Sequence, residues 1–333
     1  MAVRHTGQAG YSGVPLAKLL QQSNPGSGGV GLKASLFSLG DDAAYQRWRA
    51  WKLDGYPARA EDLIVEVGDP RELTQAEQAE MRRVCAKTNM VIYAARDARE
   101  EDKAIPRAMG ARFGLHRLDA NLLADEDSIS SLEVVPSKSG RGYIPYSNRR
   151  LLWHTDGYYN PPAQAIESMV LHCVRPAATG GENALLDHEL VYILMRDAAP
   201  QYVQALMAHD AMTIPANVEG GSEQRPAQSG PVFLVSRNGA SLLMRYTART
   251  RSIIWKPDAV TREAVLFLEQ LLETGSPYIF RHRLDAGQGL LCNNVLHNRS
   301  GFTDGEDRST SRLLYRARSF DRVAGTEFDT IYC

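Results

Sequence analysis

Two histidines and one aspartate in this chain of 333 residues have the side chains and the spacing of a candidate metal site. His154 and Asp156 are separated by one residue, and His297 follows far along the sequence. In an extended strand, residues i and i+2 project to the same face, so His154 and Asp156 could reach one metal ion without a special turn. Two imidazoles and one carboxylate on one face of a metal leave positions open for exchangeable ligands, as expected of non-haem Fe(II) oxygenases.

Two arginines near the carboxyl end suggest what would fill an open position. Arg312 and Arg316 are four residues apart. The planar guanidinium of arginine can hold a carboxylate with two parallel hydrogen bonds. The pair therefore indicates a small molecule with a carboxylate at its far end. The alternative is that the two arginines are simply exposed on an edge strand, where positions i and i+4 share a face.

The elements that must position these residues are mostly short strands. From about residue 131, β-branched apolar runs alternate with Gly, Pro and Asn turns, which predicts an antiparallel sandwich or barrel. We expect a fold that is mainly β with flanking helices, a double-stranded β-helix (jelly roll), in which sequence-distant strands lie side by side. Residues 188–207 and 260–275 are predicted to be helices, the first of them capped by Asp187.

Composition limits the function classes and the domain organisation. The 38 basic and 39 acidic residues leave a net charge of -1, so no nucleic-acid or membrane partner is expected. The four cysteines are scattered and the first residues lack an apolar signal, which indicates reduced thiols and a cytoplasmic location. We expect buried roles for Cys173 and Cys292. Residues 1–69 are predicted to form an N-terminal arm and elaboration, and residues 70–333 the main domain.

Four segments around the candidate site form an ordered set of motifs. They are LLWHTDGYY, VLHCVRPAATGGENALLD, GLLCNNVLHNRSGF and SRLLYRARSFD. This set resembles the TauD/TfdA family of Fe(II)/2-oxoglutarate-dependent dioxygenases over about residues 70–325, and within it the γ-butyrobetaine hydroxylase-like branch. The resemblance implies an enzyme that hydroxylates an unactivated C–H bond of a small polar, charged molecule and releases succinate and CO2. Its cofactor would be Fe(II), with 2-oxoglutarate and O2 as co-substrates.

The resemblance also implies roles for individual residues. His154, Asp156 and His297 would be the iron ligands. One arginine of Arg312 and Arg316 would hold the distal carboxylate of 2-oxoglutarate, and the other would contact the co-substrate or an anionic group of the substrate. Many relatives carry a threonine that helps to bind this carboxylate where Asn183 stands here, and an asparagine amide can still donate a hydrogen bond. Family halogenases lack the carboxylate of Asp156, so hydroxylation, desaturation or oxidative cleavage is favoured over halogenation.

The substrate is less narrowly specified by the sequence. Tyrosines cluster around the ligand segment, and such rings could hold a quaternary ammonium group or could simply be core residues; they are Tyr143, Tyr146, Tyr158 and Tyr159. Arg245, Arg249 and Arg251 alternate at strand spacing and could face an anionic substrate group, or they could lie on a solvated edge strand.

Other histidines and other functions complete the expectations. His172, inside an apolar run, is expected to be a hydrogen-bonded core residue, whereas His188, His209 and His282 flank charged residues and are expected to be exposed. Besides a general small-molecule hydroxylase, the alternatives are a quaternary-amine (betaine) hydroxylase, a catalytically inactive jelly-roll binding protein and a metal-dependent hydrolase. In a hydrolase, the Arg312–Arg316 pair would have no evident role. Relatives that assemble into homo-oligomers make an oligomer possible by analogy.

Overall fold

The structure is a computed structural model that describes residues 36–96, 100–120, 128–135, 144–236, 239–307 and 309–328. Residues 1–35 of the predicted N-terminal arm and elaboration lie outside the described residues, as do Tyr143 and Cys333. The described helices are α1 (Asp42–Leu53), α2 (Gln75–Thr88), α3 (Ala104–Arg112), α4 (His188–Ala198), α5 (Pro200–Leu206) and α6 (Ala259–Thr274). None of these helices is long and apolar enough to cross a membrane.

Strands make up most of the remaining regular structure. In chain order they are β1 (Ile64–Val67), β2 (Met90–Ala95), β3 (Ile129–Leu132), β4 (Leu151–His154), β5 (Ser168–Arg175), β6 (Thr179–Gly180), β7 (Asn183–Leu186), β8 (Met212–Ile214), β9 (Asn217–Glu219), β10 (Ser222–Arg225), β11 (Gln228–Gly230), β12 (Phe233–Val235), β13 (Leu242–Met244), β14 (Ile254–Trp255), β15 (Phe280–His282), β16 (Gln288–Cys292), β17 (Leu296–Arg299), β18 (Phe302–Thr303) and β19 (Leu313–Ser319).

Two larger sheets organise these strands. A six-stranded sheet has the order β1-β2-β16-β5-β19-β3, and a four-stranded sheet has the order β15-β7-β17-β4. Only β1 and β2 pair in parallel within them, and the other pairs are antiparallel. The observed fold is thus mainly β with several helices, as predicted. The double-stranded β-helix topology and the division at residue 70 stay predictions.

The apolar core forms two clusters that follow these sheets and the helices beside them. One gathers around the six-stranded sheet and includes Tyr93, Met169 and Leu291. The other includes Trp48 of α1 and Leu268 of α6. Cys173 and Cys292 are buried among these apolar side chains, as predicted, together with Cys85. His172 is also confirmed as a core residue, with Nδ1 3.0 Å from the hydroxyl oxygen of Tyr93.

The segment predicted as one helix over residues 188–207 is two helices. Helix α4 ends at Ala198, and Ala199 has extended backbone angles before Pro200 begins α5. Proline disfavours the helical conformation at the residue before it and fits the first position of a new helix. Asp187 caps α4 as predicted, since its side chain accepts a hydrogen bond from the backbone N–H of Glu189.

A buried group of charged side chains joins helix α1 to the start of α4 and to the carboxyl end of the described chain. We call it the Lys52 cluster; it contains Lys52, Asn89, Asp187, Glu189 and Arg322. The ammonium of Lys52 lies 2.7 Å from a carboxylate oxygen of each acidic residue. Arg322 lies 3.6 Å from Glu189. Asn89 donates to Asp187 and accepts from Arg322. The cluster contains two cations and two carboxylates, so its formal charges balance.

His188 was expected at the surface and is fully buried, so that expectation is wrong. Its Nε2 lies 2.8 Å from the carbonyl oxygen of Leu242. The prediction failed because it took charged neighbours as a sign of exposure, whereas Asp187 and Glu189 are themselves buried in the Lys52 cluster.

Candidate metal centre

Three buried side chains from two neighbouring strands and one turn meet at a single point. His154 is the last residue of β4, and it lies directly opposite His297 of β17 in the antiparallel register. Asp156 completes the group, and the ligand atoms of the three residues all lie within 4.8 Å of one another. The strand ends at His154, however, and Asp156 lies in the following turn. The expectation that strand geometry alone would align the two ligands is therefore wrong.

The turn that carries Asp156 is held by Asn294, a residue that sequence reasoning missed. The side-chain oxygen of Asn294 accepts from the backbone N–H of Asp156 at 2.8 Å. Its amide nitrogen donates to the carbonyl oxygens of Asp156 at 2.9 Å and Ile166 at 2.7 Å. Asn294 has a positive φ of 47°, a conformation that asparagine tolerates better than most residues. The sequence feature that could have pointed to Asn294 is the Asn293–Asn294 pair, which lies shortly before His297.

The hydrogen bonds of the two imidazoles fix which ring nitrogen is available. Nδ1 of His154 lies 2.9 Å from the carbonyl oxygen of Leu152, and Nδ1 of His297 lies 2.9 Å from that of Val295. A carbonyl oxygen can only accept, so each Nδ1 must donate, and in the neutral ring Nε2 then keeps its lone pair. Metal-binding histidines are commonly oriented by a hydrogen bond of this kind from the nitrogen that does not bind the metal.

The electrostatics of the group set the protonation states that a metal requires. Burial alone would raise the pKa of Asp156, but the positive charge of Arg316 and smaller contributions from His154 and Arg318 together outweigh it and hold this pKa well below its usual range. Burial, followed by repulsion from His154, lowers the pKa of His297 to about 3. Metal ligands must be deprotonated. An ionised carboxylate beside a neutral imidazole therefore suits a divalent cation.

Both candidate co-substrate arginines reach the same cavity. The cavity lies beside His154 and His297 and is lined by residues of both larger sheets, including Asn183, Arg312 and Arg316. Arg316 pairs with Asp156, with Nη1 3.1 Å from Oδ2, although Oδ2 accepts no well-aligned hydrogen bond. Both arginines are buried, which contradicts the alternative of two exposed residues on an edge strand.

A further arginine in this cavity was not expected from the sequence. Arg299 is two residues after His297, and its backbone pairs with that of Asn183. The guanidinium carbons of Arg299 and Arg312 lie 4.7 Å and 5.1 Å from the centre of the Phe302 ring. Burial lowers the pKa of Arg312 to about 10, and burial together with the charge of Arg312 lowers that of Arg299 to about 9. The cavity wall thus carries two buried cations in addition to Arg316.

The predicted substrate residues fall in different surroundings. Tyr146 is buried in the core cluster around the six-stranded sheet. Tyr158 and Tyr159 are half-buried, in edge-to-face contact with ring centres 5.3 Å apart, and they pack against the other cluster. Arg245 is buried and donates to the carbonyl oxygens of Tyr158 and Pro231. The burial of Arg245 contradicts the alternative of a solvated edge strand at this position.

Comparisons with known proteins agree with this geometry. A model of the taurine catabolism dioxygenase TauD, TfdA family matches residues 55–317. A uridine-5'-phosphate dioxygenase of Amycolatopsis sp. is 30% identical over 173 residues, which are 49% of this chain and 60% of that protein. A Streptomyces sp. protein of the same name is 29% identical over 220 residues, which are 62% of this chain and 74% of that protein.

Solved structures show a similar fold. Asparagine oxygenase, in complex with Fe(II), 3-hydroxyasparagine and succinate, has a TM-score of 0.52 and 19% identity; the match covers 73% of this chain and 78% of that one. The non-heme iron oxygenase OrfP, in complex with Fe and alpha-ketoglutaric acid, has a TM-score of 0.55 and 16% identity; the match covers 75% and 81%.

Proposed function

This chain belongs to the TauD/TfdA family of Fe(II)/2-oxoglutarate-dependent dioxygenases, and from that premise we propose that it hydroxylates an unactivated C–H bond of a small anionic molecule. As a member of the family it is an oxidoreductase that uses Fe(II) as cofactor and 2-oxoglutarate and O2 as co-substrates. Succinate and CO2 would be the products of the co-substrate. The observation that carries the proposal is the buried group of two histidines and one aspartate, whose ligand atoms lie within 4.8 Å of one another.

In this proposal, His154, Asp156 and His297 hold the iron. They suit it because each Nδ1 is already bound to a carbonyl oxygen and because the buried Oδ2 of Asp156 accepts no well-aligned hydrogen bond. Two histidines and one carboxylate leave positions open, as non-haem Fe(II) oxygenases require. The bound iron would supply the activation of O2. The protein would keep the ligands deprotonated, exclude water from the cavity and orient the C–H bond.

Arg312 is the residue that we assign to the distal carboxylate of 2-oxoglutarate. It is buried, lines the cavity beside the two histidines and forms no ion pair with a carboxylate of the described residues. Asn183 lines the same cavity and can donate a hydrogen bond to the same carboxylate. Arg316 is paired with Asp156, so we assign it to orienting this ligand and to contacting the co-substrate or the anionic group of the substrate.

Cations beside the Tyr158–Tyr159 segment favour an anionic substrate over a quaternary amine. Arg318 donates to the hydroxyl of Tyr159, and the guanidinium of Arg225 lies 5.8 Å from the centre of the same ring. A quaternary ammonium group held by these rings would be repelled by the guanidinium of Arg225, which has no carboxylate partner among the described residues, whereas the charge of Arg318 is paired with Asp119. Two relatives are named as dioxygenases of uridine 5'-phosphate, which is an anionic molecule.

Anaerobic addition of Fe(II) and 2-oxoglutarate tests the metal and co-substrate assignments. We expect a visible metal-to-ligand charge-transfer band in the unmodified protein and its loss in His154→Ala and in His297→Ala. His209→Ala is the matched control, because His209 is not part of the ligand group, and it should keep the band. Absence of the band from the unmodified protein, or a band unchanged in both ligand variants, contradicts the proposal.

Succinate release across a panel of compounds then tests the substrate class. The panel contains uridine 5'-monophosphate, uridine, amino acids, sulfonates and betaines. Stimulation by anionic compounds supports the proposal, whereas stimulation by quaternary amines alone supports the betaine hydroxylase. A charge-transfer band without stimulation by any anionic compound removes the anionic-substrate part of the proposal.

A further inference from the structure

Three arginines from distant parts of the chain converge on the Tyr158–Tyr159 segment, which follows the turn of Asp156. Arg245 donates from Nη2 to the carbonyl oxygen of Tyr158 at 3.2 Å. Arg318 donates from Nη1 to the hydroxyl of Tyr159 at 3.1 Å. Arg225 lies with its guanidinium 5.8 Å from the centre of the Tyr159 ring. Three guanidinium groups therefore lie beside the turn that also carries Asp156.

Of these three arginines, Arg245 has the poorest set of hydrogen-bond and ion-pair partners. The residue is 2% exposed. Its side-chain hydrogen bonds are long ones to the carbonyl oxygens of Tyr158 and Pro231, at 3.2 Å and 3.3 Å. Nε is buried without a partner, and the ion pairs of the described residues include none to Arg245. A buried cation without a counter-ion is costly, and here burial lowers its pKa to about 10.

The backbone leaves space for this guanidinium beside a glycine. A Cβ atom at Gly230 would lie 2.3 Å from Nη1 of Arg245 and 2.9 Å from Cγ of Pro162. These distances are far below a normal contact, so any larger residue would displace the guanidinium or the loop. Gly230 is the last residue of β11, and Arg225 ends β10, the preceding strand. The guanidinium of Arg245 therefore occupies space that is open only because residue 230 has no side chain.

The backbone register brings Arg245 close to the metal centre. Thr247, two residues later, forms an isolated antiparallel bridge with His154. Tyr246, between Arg245 and Thr247, exchanges hydrogen bonds with Thr155. Thr155 in turn lies between the candidate ligands His154 and Asp156. A molecule bound beside Arg245 would therefore be close to the ligand turn.

The charges around the Tyr158–Tyr159 segment indicate the chemical class of the ligand that would bind there. Arg318 forms an ion pair with Asp119, whereas Arg225 and Arg245 bond only to carbonyl oxygens among the described residues. Two uncompensated cations remain. A phosphate monoester carries a charge of about -2 at neutral pH and offers several strong acceptor oxygens. We infer that Arg225 and Arg245, beside Tyr158 and Tyr159, form a subsite for the phosphate monoester of a nucleotide substrate. The inference rests on the proposed function.

Calorimetric titration of the full chain, loaded anaerobically with Fe(II) and 2-oxoglutarate, tests this subsite. The probes are uridine 5'-monophosphate, uridine and inorganic phosphate. We expect the nucleotide to bind more tightly than uridine, because only the nucleotide carries the dianion. Arg245→Gln should weaken the affinity for the nucleotide by about 10- to 100-fold, the range for hydrogen bonds to charged groups, and leave the affinity for uridine unchanged. Arg262→Gln removes an exposed arginine of α6 and serves as the charge-matched control.

Gly230→Ala is a second variant that keeps every charge but removes the space that Arg245 occupies. It should lower the nucleotide's affinity in the same direction as Arg245→Gln. The subsite is overturned if the unmodified protein shows no preference for the nucleotide over uridine, or if Arg245→Gln weakens both equally. All variants should keep the charge-transfer band. Absence of the charge-transfer band from the unmodified protein would instead contradict the proposed function. Failure of the subsite and failure of the proposed function are therefore distinguishable.

Discussion

The Lys52 cluster and the candidate metal centre are both buried and both charged, but their charges are arranged differently. In the Lys52 cluster two cations meet two carboxylates, and Lys52, at 0% exposure, is 2.7 Å from both of its partners. At the metal centre, Asp156 pairs with Arg316. The other buried arginines of the cavity, Arg299 and Arg312, form no ion pair with any carboxylate in the described ranges.

This difference distinguishes charges that stabilise the fold from charges that are suited to bind ligands. A buried charge is tolerated when it is paired, and its cost must otherwise be met by other interactions of the fold. The Lys52 cluster is nearly complete as it stands, and we interpret it as structural. The metal centre has an excess of cations opposite an available carboxylate oxygen and two imidazole nitrogens. The carboxylate oxygen and the imidazole nitrogens complement a metal cation, and the excess arginines complement anions in the cavity.

The largest expected effect comes from breaking the balanced cluster. Lys52→Met should lower the free energy of unfolding by about 3 to 5 kcal/mol, because it leaves the buried carboxylate of Asp187 without a cation and that of Glu189 with Arg322 alone. Urea unfolding followed by circular dichroism measures this loss. By contrast, Arg312→Met at the metal centre should change the same free energy by less than about 1 kcal/mol, since it removes a cation that has no counter-ion.

A compensated variant keeps this test decisive if Lys52→Met fails to fold. Lys52→Met combined with Asp187→Asn removes one cation and one carboxylate together and leaves Arg322 paired with Glu189, and the asparagine can still cap α4. We expect it to regain most of the lost stability. Equal destabilisation by Lys52→Met and Arg312→Met would abolish the distinction between the two regions.

The next effect concerns co-substrate affinity rather than stability. Arg312→Met should raise the dissociation constant of 2-oxoglutarate by about 10- to 100-fold, because a charge-assisted, bidentate contact is lost. Anaerobic titration of the charge-transfer band measures this constant. 2-Oxobutyrate, which lacks the distal carboxylate, is the internal control and should bind both proteins equally. An unchanged constant for 2-oxoglutarate would show that Arg312 does not hold the distal carboxylate.

Asn294 offers a test of how the ligand turn is positioned. Asn294→Ala should destabilise the protein by about 1 to 3 kcal/mol, because it removes three buried hydrogen bonds and leaves alanine at a positive φ. It should also weaken metal binding by about 10- to 100-fold, the range for residues that orient metal ligands. Asn294→Gly accepts the positive φ, so it should recover part of the stability but not the metal affinity. Full recovery of both would assign Asn294 to backbone conformation alone.

A smaller effect follows from pH in the metal-free protein. Burial lowers the pKa of His297 to about 3, so His297 stays neutral in the fold when the histidines of the unfolded chain take up protons near a pKa of about 6.5. Burial lowers the pKa of His188 in the same direction. Histidines with a depressed folded pKa stabilise the fold above the unfolded pKa, and this stability is lost as the pH falls. We expect a loss of about 1 kcal/mol from His297 between pH 7.5 and pH 6, measured by urea unfolding. A flat profile would contradict the burial of the neutral imidazoles.

The sequence predicted the residues that meet, but not how they are held. His154, Asp156 and His297 were selected by residue type, spacing and motif order, and their side chains do come together. The part played by Asn294 was not predictable, because its bonds to the Asp156 turn exist only once β17 lies beside β4. The strand periodicity that was used instead explains the position of His154 only.

Buried charge was the other feature that the sequence concealed. Lys52 sits in a polar helical pattern, and charged residues are almost never fully buried unless they are paired. Its partners Asp187 and Glu189 lie far away in sequence, so the pairing depends on the tertiary fold. The same fact explains the wrong expectation for His188. By contrast, the break before Pro200 followed from a local rule and could have been read from the sequence.

The free energy that 2-oxoglutarate adds to folding shows whether the unpaired charges of the metal centre bind this co-substrate. It is the difference in unfolding free energy between protein with Mn(II), a redox-stable substitute for Fe(II), and protein with Mn(II) plus 2-oxoglutarate. We predict a clear increase in the unmodified protein, the same increase in Lys52→Met, and little or none in Arg312→Met. No increase in the unmodified protein, or an undiminished increase in Arg312→Met, would contradict the claim that the unpaired charges of the metal centre are complements of its ligands.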